Sequence, residues 1–196
     1  MEKEFELFLP LRKRIDTFLE QGNERGRLIV AIDGGSASGK TTLAAFLEKW
    51  YEDLAVFHMD DFFLTPEMRT AKRLNEVGGN VDRERFEKEV LLPISKGEAV
   101  NYRRYICKAQ EFSSPVTLDP KGIVIVEGAY SMHPSLMKYY DFTVFLNIDS
   151  ESQRQRILKR NAPSLAHRFF REWIPLENVY FEKTDIKNRC DLVIDV

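Results

Sequence analysis

The apolar residues of the chain are grouped in short runs that predict buried strands. Five runs have the length of a strand, and none shows the regular polar alternation of a strand with one wet face. They are Leu28–Ile32, Leu54–Met59, Ile123–Val126, Phe142–Ile148 and Leu192–Ile194. We therefore expect a mainly parallel five-stranded sheet that is covered on both faces.

Stretches with a helical spacing of apolar residues precede and separate these runs. Residues 4–20 predict a first helix, with Pro10 as a candidate break and Gln21-Gly22-Asn23 as its stop. Further helices are predicted at Thr42–Trp50, Arg83–Leu92 and Ser150–Lys159. The polar stretch Thr65–Asn80 ends in two glycines and is predicted to be a mobile loop. Strands alternating with helices predict one α/β domain over residues 1–196, a three-layer sandwich with an extra N-terminal helix at residues 1–22.

A glycine-rich motif lies between the first strand and the second helix. Its residues are Gly34, Gly35, Ser36, Ala37, Ser38, Gly39, Lys40 and Thr41, which satisfy G-x-x-x-x-G-K-[ST]. The glycines let backbone N–H groups turn towards a phosphate, and the N-terminus of the helix adds partial positive charge. Lys40 would bind the β- and γ-phosphates, and the Thr41 hydroxyl would bind Mg²⁺. Because a chance match in such a chain is about a one-in-a-hundred event, the motif predicts a P-loop NTPase fold that binds ATP and Mg²⁺.

Acidic residues follow two of the predicted strands. Asp60 and Asp61 come directly after the second strand, and Glu127 ends the third. Ligands of open α/β sheets gather at the carboxyl ends of the strands. A kinase needs a carboxylate beside the acceptor hydroxyl and acidic ligands for its metal, so we assign Asp60 as the catalytic base and Glu127 to magnesium. The alternative is that Asp60 and Glu127 only solvate the ends of their strands. For Asp61 we expect a structural role, either holding the turn or forming hydrogen bonds to the neighbours of Asp60.

Basic residues are concentrated late in the chain. They are Arg154, Arg156, Lys159, Arg160, Arg168 and Arg171. Arg156 and Arg160 are one helical turn apart and share a face. Guanidinium groups compensate the charge of a phosphoryl group in transfer, so we predict an arginine-bearing lid at about residues 150–175, with Arg156 and Arg160 as catalytic residues. A solvated basic helix is the alternative.

Composition narrows the function classes. The formal net charge of −2, from 29 basic and 31 acidic residues, argues against a nucleic-acid partner. The sequence has no apolar stretch long enough to cross a membrane, and its first residues are charged, so we expect neither a membrane span nor a signal peptide. Cys107 and Cys190 lie far apart, which favours a reduced, cytoplasmic location, and the three histidines lack a zinc-ligand spacing. We expect a cytoplasmic monomer or homo-oligomer that does not associate with a membrane.

With these motifs in place, residues 27–196 resemble the uridine kinase and phosphoribulokinase family of P-loop kinases. Gly34–Thr42 matches the phosphate loop of the family, which adds Thr42 to the nucleotide ligands, and Asp60-Asp61-Phe62-Phe63 matches the segment that begins with the catalytic base. The resemblance implies further substrate ligands, which are Asp82 for sugar hydroxyls, Tyr102 and Tyr105 for a nucleobase, and Gln110 near the place of a base-reading histidine.

The match has three departures, which are Gln110 for that histidine, Ile106 for an acidic residue and Ala37 for a glycine of the loop. The resemblance implies transfer of the γ-phosphoryl group of ATP to a primary hydroxyl, and we expect the 5′-hydroxyl of a nucleoside such as uridine or cytidine. Nicotinamide riboside, pantothenate or a sugar are alternative acceptors. A nucleotide-binding regulatory protein is the alternative from another class, although the chain lacks the Asn-Lys-x-Asp segment of GTPase switches.

Overall fold

The centre of the fold is a parallel β-sheet. The structure is a computed structural model that describes residues 2–21 and 26–196, with the backbone alone for residues 2–5. The strands are β1 Arg27–Gly34, β2 Leu54–His58, β3 Val100–Tyr102, β4 Tyr105–Ile106, β5 Glu111–Phe112, β6 Val116–Leu118, β7 Gly122–Glu127, β8 Phe142–Asn147 and β9 Leu192–Asp195. Five of them form one sheet in the order β2-β7-β1-β8-β9, and every pairing in it is parallel. The prediction of a parallel five-stranded α/β fold is confirmed.

Helices surround this sheet. They are α1 Glu2–Gln21, α2 Lys40–Glu48, α3 Ala71–Leu74, α4 Arg83–Phe86, α5 Leu92–Ser95, α6 Ser150–Arg160, α7 Pro163–Arg168, α8 Ile174–Thr184 and α9 Ile186–Arg189. A π-turn at Glu87–Leu91 joins α4 to α5, and a second π-turn at Phe169–Trp173 joins α7 to α8. No helix within residues 2–21 and 26–196 is both long and apolar enough to cross a bilayer.

Two hydrophobic clusters cover the two faces of the sheet. Alternate residues of β1 point into them, because successive side chains of a strand point to opposite faces. Ile29 and Ala31 belong to a cluster with aromatic residues such as Phe62 and Tyr180. Val30 and Ile32 belong to a second cluster to which α1 and α2 contribute Leu11, Ile15, Leu43 and Leu47. The sheet is therefore the middle layer of a sandwich.

Two local features differ from the sequence-based expectation. Helix α1 continues through Pro10, so the predicted break is wrong. The apolar face of α1 is packed on the sheet, and that burial offsets the hydrogen bond that a proline removes. The predicted stop of this helix lies partly in residues 22–25, outside the described residues. The predicted loop Thr65–Asn80 contains a 3₁₀ turn at Pro66–Met68 and helix α3, and is anchored by Arg73, which donates to the carbonyl oxygens of Gly79 and Val81.

The carboxylate of Asp33 ties three elements together at the end of β1. It is fully buried, and its Oδ1 accepts the N–H groups of Gly34 at 2.7 Å and Tyr130 at 3.2 Å. Its Oδ2 accepts the N–H of Met132 at 2.9 Å and the hydroxyl of Tyr180 at 2.8 Å. Burial raises the pKa of Asp33 to about 6, although these donors and Lys40 act in the opposite direction. One side chain thus joins β1, the segment after β7, and α8.

We predict that replacing Leu11 by alanine destabilises the whole domain. Leu11 lies in α1 with no exposed surface, so truncation leaves a cavity and lowers the free energy of unfolding by about 2–5 kcal/mol. Leu19→Ala on the same helix is the control, because the Leu19 side chain is 44% exposed. Urea unfolding followed by circular dichroism measures both variants, and equal midpoints for the two would contradict the packing of α1 described above.

A second prediction concerns the pH dependence of stability. The pKa of Asp33 is about 6 in the folded chain and 3.8 in its ordinary state, so between these values the folded chain binds a proton that the unfolded chain has released. Stability from this group is therefore complete below about pH 4 and falls as the pH rises to about 6. Asp33→Asn removes the titration, so its destabilisation relative to the parent should shrink by up to about 3 kcal/mol between pH 4 and pH 7. Urea unfolding at several pH values tests this, and a constant difference would refute it.

Candidate active site

The phosphate loop connects β1 to α2 through a strained turn. Gly34 and Gly39 have φ angles of 144° and 102°, and Ala37 has a φ of 63°. A Cβ atom at Gly34 would lie 2.4 Å from the carbonyl oxygen of Leu146, so glycine is required there. The left-handed conformation of Ala37 costs about 1–2 kcal/mol, and such strain persists only where neighbouring contacts hold the backbone.

The polar groups of this loop are arranged to hold an anion. Lys40 is buried, and its Nζ donates to the carbonyl oxygens of Gly34 at 2.8 Å and Gly35 at 2.9 Å. Its ammonium group therefore lies against the inside of the loop. The buried Ser38 hydroxyl has no hydrogen-bond partner among the residues that the structure describes. A lysine, an unsatisfied hydroxyl and the N-terminus of α2 together fit a polyphosphate group.

Oxygen ligands suitable for a metal ion lie at the other side of the loop. The Thr41 hydroxyl donates to Glu127 Oε1 at 3.0 Å, and the same oxygen is 2.6 Å from His58 Nδ1. His58 and Glu127 are register partners of the neighbouring strands β2 and β7, which explains their contact. The hydrogen bond to Glu127 raises the pKa of His58. Hydroxyl and carboxylate oxygens are the ligands that Mg²⁺ prefers, so Thr41 and Glu127 fit this ion.

The two aspartates after β2 have different surroundings. Both lie in the 3₁₀ turn Met59–Phe62. Asp60 is exposed towards the cavity, and the surrounding protein displaces water and raises its pKa, while Lys40 counteracts this effect. Asp61 instead forms an ion pair with Arg104 at 3.4 Å. Only Asp60 is therefore placed to meet a bound ligand.

One cavity of about 660 Å³ connects these groups. The phosphate loop, from Ser36 to Thr41, and Thr42 line its centre. The lining also includes a group around Asp60, which we call the acceptor end and which contains Phe63, Asn80, Cys107, Tyr130 and Glu177. It further includes Leu7, Phe8, Arg156, Arg160, Phe169 and Trp173. A single space therefore extends from the loop to the carboxylate of Asp60 and to two arginines.

The two arginines assigned to a lid make different contacts. Arg156 Nη1 donates to the carbonyl oxygens of Ala37 at 3.3 Å and Ser38 at 3.4 Å. Arg160 lies over the ring of Phe169, with 5.5 Å between its Cζ and the ring centroid. Arg168 is paired with Glu172 at 3.0 Å and does not line the cavity. The closing motion of a lid stays a prediction.

Four of the five residues proposed to bind the acceptor do not line this cavity. Asp82 caps helix α4 by accepting the N–H of Arg85 at 3.1 Å. Tyr102 is 2% exposed, and its ring is stacked on Phe62. Tyr105 is buried, and Gln110 lies in an exposed turn with a φ of 56°. Their roles as substrate ligands stay predictions, and the described geometry brings only Asp60 of the proposed acceptor residues to the cavity.

Several residues at the acceptor end were missed by the sequence reasoning. Tyr130 is 3% exposed and has a left-handed φ of 73°, an outlier for a bulky residue. Its buried hydroxyl lies beside Asn80 and makes no hydrogen bond of standard geometry within the part of the chain that is described. Glu177 is also buried and contacts the phosphate loop. Asn80 had a signal, because it stands beside the matched Asp82, whereas Glu177 had none in its local sequence.

The sequence is similar to those of uridine kinases and of a uridine kinase-like protein. The sequence is 25% identical over 182 residues to a uridine kinase of Macrococcus caseolyticus, a match that covers 85% of this chain and 86% of that protein. It is 26% identical over 146 residues to the uridine kinase-like protein 4 of Arabidopsis thaliana, which covers 70% of this chain. The match spans only about a third of the length of that plant protein, at 31%.

A solved structure has the same fold. The structure of a possible uridine kinase from Bacillus stearothermophilus superposes with a TM-score of 0.67 and 25% sequence identity, covering 95% of this chain and 100% of that one. A sequence profile of the phosphoribulokinase/uridine kinase family matches residues 29–168, which include the phosphate loop, Asp60, Glu127 and both cavity arginines. The chain therefore belongs to the phosphoribulokinase/uridine kinase family.

Proposed function

We propose that this protein transfers the γ-phosphoryl group of ATP to a primary hydroxyl of a small molecule, with the 5′-hydroxyl of uridine or cytidine as the first candidate. The observation that carries the proposal is that one cavity contains the phosphate loop with Lys40, the Thr41–Glu127 pair and the carboxylate of Asp60. These are the groups that phosphoryl transfer requires. Family membership supports a phosphotransferase.

Asp60 is the residue that we assign to the acceptor. It accepts a hydrogen bond from the acceptor hydroxyl and takes its proton as the new O–P bond forms and the bond to the ADP oxygen breaks. The raised pKa of Asp60 makes its carboxylate a better proton acceptor. Lys40 and Arg160 offset negative charge on the phosphoryl oxygens. Magnesium, held by Thr41 and Glu127, would supply further charge neutralisation.

The choice of a nucleoside rests on the uridine kinase relatives and on the acceptor end of the cavity. Phe63 contributes an aromatic ring to its lining there, and the Asn80 side chain can donate and accept hydrogen bonds. Nicotinamide riboside, pantothenate and sugars remain rival acceptors, because Gln110 stands where uridine kinases have a base-reading histidine. A regulatory nucleotide-binding protein would not need a proton acceptor such as Asp60 in the cavity. The position of Asp60 therefore favours an enzyme over a regulatory protein. We expect that the enzyme acts in the cytoplasm.

A panel of acceptors tests the substrate class. With radiolabelled ATP and Mg²⁺, we expect uridine or cytidine to be phosphorylated with a higher kcat/KM than nicotinamide riboside, pantothenate or a hexose. Omission of the acceptor gives the background rate of ATP hydrolysis. If pantothenate or a hexose is the best acceptor, the nucleoside assignment fails and the kinase assignment survives.

Substitution of Asp60 tests the chemistry. Asp60→Asn keeps the size of the side chain and removes the proton acceptor, so kcat should fall by about 10²–10⁴-fold. The Kd for MgATP should change by less than about threefold, because phosphate binding depends on the loop and Lys40. Glu67→Gln, an exposed position in the next turn, is the control and should retain activity. An Asp60→Asn enzyme with normal turnover would show that another group accepts the proton.

A further inference from the structure

Ser36 of the phosphate loop is held by side chains from two distant helices. The backbone N–H of Ser36 donates to Glu177 Oε2 at 2.9 Å, and its hydroxyl donates to Glu177 Oε1 at 2.5 Å. The carbonyl oxygen of Ser36 accepts a hydrogen bond from Gln153 Nε2 at 2.9 Å. All the hydrogen-bonding groups of this one loop residue are therefore bound by Glu177 and Gln153.

These two side chains belong to helices at the two ends of the predicted lid region, since α6 begins it and α8 begins at its end. Gln153 lies on α6 and Glu177 on α8, and both are buried, with 9% and 3% exposure. Gln153 packs so closely on the loop that a Cβ atom at Gly35 would lie 2.8 Å from its Nε2. Buried polar contacts of this kind fix geometry, because an unsatisfied partner is costly.

We propose that Glu177 and Gln153 are positioning residues that hold the phosphate loop in its nucleotide-binding shape through Ser36. This inference rests on the proposed function only in requiring that the loop binds ATP. Ala37 follows Ser36 with a left-handed φ of 63°, a conformation that persists only if its surroundings over-determine it. The carboxylate of Glu177 fixes both the orientation of the Gly35–Ser36 peptide and the rotamer of Ser36, and Gln153 fixes the carbonyl that leads into Ala37.

The geometry favours this role for Glu177 over direct binding of the acceptor. Both carboxylate oxygens of Glu177 are engaged by Ser36. Burial raises the pKa of Glu177, while Lys40 and the Ser36 bonds act against the shift. Substitution at Glu177 should therefore change nucleotide affinity and leave the KM for the acceptor unchanged.

Nucleotide titration of the full chain tests the proposal. Isothermal calorimetry with MgATP in the absence of acceptor should give a Kd about tenfold or more higher for Glu177→Ala, the scale of hydrogen bonds to a charged group. Glu177→Gln should restore the Kd to within about threefold of the parent, because its amide can accept from the Ser36 N–H and donate to the Ser36 hydroxyl. Glu182→Ala, exposed on the same helix, is the matched control and should bind as the parent does.

A double-mutant cycle separates positioning from general loss of structure. Ser36→Ala removes only the hydroxyl that donates to Glu177, so the two substitutions disrupt the same interaction. The fold-increase in Kd of the double variant should therefore be smaller than the product of the two single fold-increases. Gln153→Ala removes one neutral hydrogen bond and should raise the Kd by about threefold or more. If Glu177→Ala does not fold, Ser36→Ala and Gln153→Ala decide the question.

Three results would overturn the proposal. They are a parental Kd in Glu177→Ala, a Glu177→Gln variant that binds as weakly as Glu177→Ala, and independent effects of Ser36→Ala and Glu177→Ala on the Kd. If only the milder variants fold, a parental Kd in both Ser36→Ala and Gln153→Ala would also overturn the proposal. A raised acceptor KM with an unchanged Kd for MgATP would likewise assign Glu177 to the acceptor. A parent protein that binds MgATP and phosphorylates no acceptor would refute the proposed function and leave this binding test valid.

Discussion

The carboxylate of Asp33 is the interaction on which the geometry of the site depends. It accepts hydrogen bonds from Gly34, which starts the phosphate loop, and from Tyr130 and Met132, which follow β7. Tyr130 has a left-handed backbone, which costs about 1–2 kcal/mol for a residue with a side chain. The bond from its N–H to Asp33 holds this conformation, and the hydroxyl of Tyr180 brings α8 to the same carboxylate. The loop, the acceptor end of the cavity and α8 are consequently fixed relative to one another.

The charges that line the cavity explain why a cation would be needed with the nucleotide. Asp60, Glu127 and Glu177 are offset by Lys40, Arg156 and Arg160, so the lining is formally neutral before a ligand enters. A triphosphate adds negative charge that this lining does not balance. The oxygens of Thr41 and Glu127 lie beside the loop, where a divalent ion would reduce the repulsion.

The parts of the fold that depend on local sequence were predictable. Buried parallel strands appear as apolar runs, and the phosphate loop is contiguous, so β1, β2, β7, β8, β9 and Gly34–Thr41 followed from the pattern. Strands β3 to β6 are two or three residues long and give no periodic signal. Glu177 reaches Ser36 across 141 positions, a contact that only tertiary packing creates. Tyr102 illustrates the converse, since its sequence context matched a substrate segment while packing buries its ring against Phe62.

The contacts of the phosphate loop also separate two arginines that the sequence treated as a pair. Arg156 is one turn after Gln153 on α6 and donates to the carbonyl oxygens of Ala37 and Ser38, so it is attached to the loop together with Ser36. Arg160 ends α6 and contacts Phe169, which lies in the π-turn before α8. A closing movement that preserves the bonds of Gln153 and Glu177 to Ser36 is confined to the residues between these anchors. Both arginines lie between these anchors, but Arg156 is bonded to the phosphate loop, whereas Arg160 contacts Phe169. Arg160 is therefore the arginine that such a movement would bring onto the phosphates, while Arg156 would remain attached to the loop.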